Sequence, residues 1–127
     1  MRFTKILLLF IVFIFSTNYI KAQSCITLSS PAGTDDQKVC INTSIINITY
    51  TLGLGVTVSS LTGLPAGVTW ASGSGLLTIS GTPALSGIFN YKVSTFGICS
   101  GTHEANGKIT VKDAPAPPTG TTPQSFC

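Results

Sequence analysis

The chain has 127 residues, a formal net charge of +3, 43% hydrophobic and 9% charged residues. Three of its seven basic residues (Arg2, Lys5 and Lys21) precede position 23, leaving Lys38, Lys92, Lys108 and Lys112 to balance Asp35, Asp36, Glu104 and Asp113. A near-neutral body excludes the clustered basic face that nucleic-acid binding needs, and one histidine with few carboxylates argues against acid–base catalysis. The length allows at most one ordinary domain of roughly 100 residues.

Residues 1–22 have the layout of a secretory signal peptide: a basic start, an apolar run from Ile6 to Phe15, the polar Ser16-Thr17-Asn18, and Ala22 before Gln23. Cleavage is expected between Ala22 and Gln23. The apolar run covers about 15 Å as a helix, half of a roughly 30 Å hydrocarbon core, so no stable membrane span is expected once the peptide is removed. Ala22-Gln23-Ser24 is a poor lipoprotein box before Cys25. Export implies an oxidising compartment in which disulfides persist.

From Cys25 to about residue 112 the sequence reads as short strands separated by glycine and proline, with no apolar period of 3.6 long enough for a helix. Weak strands are predicted over 26–29, 38–40, 56–60, 68–71 and 76–80. The clearest is 45–52, where Ile46, Ile48, Tyr50 and Leu52 alternate with Asn47, Thr49 and Thr51. The same period of two appears at Phe89, Tyr91 and Val93, and again at Ile109 and Val111. Gly53 and Gly55, Gly63 to Gly67, Gly73 to Gly75 and Gly81-Thr82-Pro83 supply turns. About seven strands joined by short turns predict an antiparallel β-sandwich. Trp70 is read as closing one end of a small core rather than stacking on a sugar.

Four cysteines remain after cleavage: Cys25, Cys40, Cys99 and Cys127. None has zinc-site spacing, and His103 stands alone, so no metal centre is expected from them. A Cys40–Cys99 bridge is preferred among the three connectivities because it alone joins two predicted core strands. Closing that loop would contribute about 4 kcal/mol in the chain-entropy model. Cys25 and Cys127 lie outside the predicted core; either they pair with each other, or Cys127 awaits a partner from elsewhere. Residues 113–127 begin with a proline-rich spacer and end in Gln124-Ser125-Phe126-Cys127, which reads as the opening of a further domain. Asn42-Thr43-Ser44 and Asn47-Ile48-Thr49 match the glycosylation sequon and are read as ordinary strand polar residues.

Gly63-Leu64-Pro65-Ala66-Gly67-Val68, then Leu77-Thr78-Ile79-Ser80-Gly81-Thr82-Pro83 and Ser86-Gly87-Ile88-Phe89-Asn90-Tyr91-Lys92-Val93, resemble the Ig-fold repeat of the cadherin-like group. The flanks Val39-Cys40-Ile41-Asn42-Thr43, Ile48-Thr49-Tyr50 and Gly107-Lys108-Ile109-Thr110-Val111 resemble the version found in long surface proteins of gliding-type bacteria. The resemblance covers residues 25–112 and implies an Ig-like antiparallel β-sandwich over 23–112, a bead of a secreted or cell-surface protein. It also implies a paired cysteine at Cys40 and Cys99.

Members of the cadherin-like group bind calcium between domains, which makes Asp35, Asp36, Glu104 and Asp113 the calcium candidates here. They are scattered in sequence, whereas calcium takes six or more oxygens, so no cofactor is expected. The expectation is a non-catalytic module for adhesion, matrix contact or spacing, with an unspecified surface ligand and further domains beyond it. The alternatives are a polysaccharide-binding accessory domain of a larger extracellular hydrolase and a calcium-binding cadherin-like module. A stand-alone enzyme is not expected: His103-Glu104 beside Ser100 and Thr102 reads as a solvated loop.

Overall fold

Runs rich in Thr, Ile and Val, broken by Gly and Pro, leave the chain only extended structure to build with, and that is what forms. A computed structural model describes residues 24–114. The signal peptide, the Ala22/Gln23 junction, Cys127 and all but the first two residues of the 113–127 spacer lie outside the described residues. Eight strands follow in order: β1 (Ile26–Leu28), β2 (Asp36–Cys40), β3 (Ile48–Leu52), β4 (Thr57–Thr62), β5 (Val68–Gly73), β6 (Leu76–Gly81), β7 (Gly87–Phe96) and β8 (Glu104–Lys112). Among the described residues no helix is long and apolar enough to cross a membrane.

The strands form two four-stranded sheets, ordered β1-β3-β6-β5 and β2-β8-β7-β4, packed as a β-sandwich. Ile26, Ile48, Tyr50, Leu52, Val68, Leu77 and Ile79 of the first sheet meet Tyr91, Val93, Ile109 and Val111 of the second, with Cys25, Ile45 and Val56 filling in from loops. Alternate side chains of each strand therefore make the core, as the period of two requires. Trp70 stands opposite Ile79, on the core face of edge strand β5, and keeps 40% exposure.

All pairings are antiparallel except β2 with β8, which is parallel from Asp36↔Lys108 to Cys40↔Lys112. This corrects the wholly antiparallel expectation. The chain leaves β1 in the first sheet and crosses through residues 29–35 without reversing, so it joins the second sheet running alongside β8.

The expected 45–52 strand also changes. Ordered pairing starts at Ile48, while Ile46 is 65% exposed and Ile45 is buried instead. The cause is Gln37. Its buried side-chain amide donates to the Ile46 and Thr34 carbonyls at 3.0 and 2.9 Å and accepts from the Ile46 N–H at 2.9 Å. A side chain thus takes the backbone partners that a neighbouring strand would have supplied, and the alternation slips by one. Asn42, read from sequence as a strand residue, instead occupies a turn with φ +62°.

A second buried polar link spans the sheets. The hydroxyls of Tyr50 and Tyr91 are 2.9 Å apart, with both residues nearly inaccessible. Tyr91 lies across Gly107, its partner on β8, so closely that a Cβ there would sit 2.2 Å from the ring. Burial raises both phenols above their ordinary 10.0; hydrogen bonding opposes this at Tyr50 and reinforces it at Tyr91, and Asp35 pushes both further upward.

Candidate loop cluster at the entry end

The chain enters beside Cys25 and leaves past Lys112 at the opposite end of the sandwich, because β8 starts next to Cys25's bridge partner and runs away from it. At the entry end three segments meet: residues 24–25, the β3–β4 turn over 53–56, and the β7–β8 loop over 97–103. The Gly53 N–H donates to the Cys25 carbonyl at 3.0 Å. Gly97 touches the other turn directly, since a Cβ on it would come within 2.6 Å of the Gly55 carbonyl and 2.8 Å of Val56 Cα. Thr95, buried in β7, donates from both its N–H and its Oγ1 to the His103 carbonyl, each at 2.8 Å, and so ties the two ends of the loop together.

A disulfide joins Cys25 to Cys99 with Cα atoms 5.6 Å apart. The expected Cys40–Cys99 pairing is therefore incorrect. Cys40 lies opposite Lys112 at the exit end, whereas Cys99 lies beyond the Glu104 end of the same strand; about eight residues of β8 put roughly 27 Å between the two levels. A bridge tolerates Cα separations of only about 7 Å. Cys40 is itself disulfide-bonded. Flanking core strands were a poor guide because β2 and β7 end at opposite poles of one sheet.

The structure does not gather the four calcium candidates into one site. Asp36 pairs with Lys108 at 3.0 Å and Glu104 with Lys92 at 2.7 Å, both on the outer face of the second sheet. Their levels on β8 differ by about four residues, or roughly 14 Å, and Asp113 follows the far end of that strand. Asp35 and Asp36 instead border a shallow depression of about 460 Å³ with Asn90, Lys92, Asn106 and Lys108.

Two features of the entry end escaped the sequence reading. Leu54 and Ile98, on the touching loops, are 89% and 96% exposed, and Phe96, the last residue of β7, is 75% exposed. His103, read as a solvated loop residue, is half-buried with both ring nitrogens 3.8 Å from Cys99 Sγ. Cys25 and Cys99 are 74 residues apart, so no local spacing announces them.

No protein-family model matches the chain, and no curated protein matches it.

Proposed function

We propose that residues 23–112 form an Ig-like, non-catalytic module of an exported protein, presenting its entry-end loops to a surface or matrix ligand. Several features support the fold reading. If β1, β3, β4, β5, β6, β7 and β8 are lettered A, B, C, D, E, F and G, the first sheet is ABED and the second contains CFG, as in constant-type Ig domains. β2 is then a second part of strand A, switched onto G.

The observation that carries the function is the loop cluster. The β3–β4 and β7–β8 connections occupy the B–C and F–G positions, the ones that antibodies use for antigen. The F–G loop is tied to Cys25 by the disulfide and the B–C turn by the Gly53–Cys25 hydrogen bond, and among the described residues their side carries the three most exposed large apolar side chains, Ile98, Leu54 and Phe96. The signal-type N-terminus and the disulfide suit a secreted or cell-surface location. Polysaccharide-binding faces use several exposed aromatic rings, and Trp70 lies on the core side here.

The test combines location and attachment. Protease shaving of intact producing cells should remove the chain, and cells carrying Leu54→Ser with Ile98→Ser should attach to surfaces less well than the parent while exporting equal amounts. A chain retained in the cytoplasm, or attachment indifferent to both the variant and deletion of the gene, would sink the reading.

A further inference from the structure

Cys25, Cys99 and His103 each offer one ligand atom, and these atoms all lie within 4.8 Å of one another. Among the described residues no other group of three cysteine, histidine or carboxylate side chains comes so close. We propose that this cluster is a redox-gated site for a thiophilic divalent cation of the zinc class: closed while the disulfide stands, open as a Cys2His tripod once it is reduced.

The dimensions suit the ion. With Zn–S near 2.3 Å and Zn–N near 2.0 Å, a tetrahedral ion holds sulfur about 3.5 Å from nitrogen and two sulfurs about 3.8 Å apart. Cys99 Sγ already lies 3.8 Å from either nitrogen of His103. Reduction has only to let the sulfurs separate, and the anchors on either side limit how far they go. Cys25 is wholly buried and its carbonyl is bonded to Gly53; His103 is held through its carbonyl by Thr95. Three protein ligands leave a fourth position for water, the arrangement of open zinc sites.

The chemistry balances with a small-molecule thiol as reductant. Its thiolate attacks the half-buried Cys99 sulfur, breaking the Cys25–Cys99 bond and releasing Cys25 as a thiol. A second thiol resolves the mixed disulfide, so two reductant thiols become one disulfide and the protein gains two thiols. Metal binding then displaces the two thiol protons, while the imidazole donates a ring-nitrogen lone pair.

The test uses the whole chain reduced with a trialkylphosphine, with Co²⁺ as the spectroscopic probe and Zn²⁺ as competitor. One Co²⁺ should bind with thiolate-to-metal charge transfer and tetrahedral d–d bands, and Zn²⁺ should displace it. His103→Ala should weaken binding by at least about tenfold, by analogy with the loss seen when even outer-shell partners are removed. Cys40→Ser with Cys127→Ser should leave the spectrum intact. If reduction unfolds the chain, adding Zn²⁺ should restore the far-ultraviolet strand signal. Equal binding by the oxidised chain, binding lost in the Cys40/Cys127 variant, indifference to His103→Ala, or a reduced chain that Zn²⁺ neither binds nor refolds would each overturn the proposal.

Discussion

Tyr50 and Tyr91 show how strongly one buried contact depends on both of its partners. Removing either hydroxyl leaves the other buried without its mate, at a cost of about 1–3 kcal/mol, whereas removing both leaves two phenyl rings in an apolar core. Tyr50→Phe and Tyr91→Phe should therefore each destabilise the domain, and the double variant should lose clearly less than their sum in denaturant unfolding. Simple additivity would show that the two hydroxyls do not depend on each other.

The same pair dictates alkaline behaviour. Both phenols titrate above 10.0 in the folded state, chiefly because burial disfavours the anion, so the folded chain holds these protons more tightly than the unfolded chain. Their contribution is complete below about pH 10 and falls away as pH rises above it. In a chain that starts at Gln23, and so lacks Tyr19, tyrosinate absorbance should appear together with loss of circular dichroism; ionisation near pH 10 with the fold intact would contradict this. Gln37 is a comparable single-residue dependence. Gln37→Ala strips partners from the Ile46 N–H and two carbonyls and should cost about 2–3 kcal/mol, read as a lower denaturant midpoint at unchanged m-value.

At the scale of elements, the disulfide and the strand switch decide how the sheets are held. The Cys25–Cys99 bridge closes a segment with a sequence separation of 74 and, in the chain-entropy model, contributes about 4 kcal/mol. It ties the start of β1 in the first sheet to the loop that precedes β8 in the second. Non-reducing peptide mapping should recover Cys25 linked to Cys99, and Cys25→Ala with Cys99→Ala should lower stability by roughly that amount. A Cys40–Cys99 peptide would instead require β2 or β7 to be rebuilt. β2 contributes differently: its parallel pairing covers β8, leaving the lysine-bearing and carboxylate-bearing positions of both strands on one face.

At the scale of the whole molecule, every charge carried on a strand among the described residues lies in the second sheet. Lys38, Lys92, Lys108 and Lys112 all belong to the second sheet, while β1, β3, β5 and β6 carry no charged residue. The three most exposed large apolar side chains among the described residues, Ile98, Leu54 and Phe96, stand at the entry end, remote from the exit near Lys112. Attachment through such tips should vary little with ionic strength, because salt screens charges rather than apolar contact. The acidic residues, already paired or spread along β8, should confer no calcium-dependent rise in melting temperature; a clear rise would favour the cadherin-type alternative.

Local sequence pattern is enough for the class of structure and for nearly every strand. A period of two in Ile48-Thr49-Tyr50-Thr51-Leu52 and in Phe89 to Val93 is a local property, and Gly/Pro turns mark where each run stops. Alternation also assigned Ile48, Tyr50, Leu52, Tyr91, Val93, Ile109 and Val111 to the core without knowledge of partners, but it left the buried residues of the weaker strands unassigned and Cys25 outside. It misplaced Ile46, because the competing partner, the Gln37 amide, comes from another strand. The cysteine pairing, the His103 contact and the meeting of the loops at Gly55 and Gly97 were decided only by tertiary structure. Each depends on which ends of distant strands lie at the same pole, and side-chain periodicity within a strand carries no record of that direction or level.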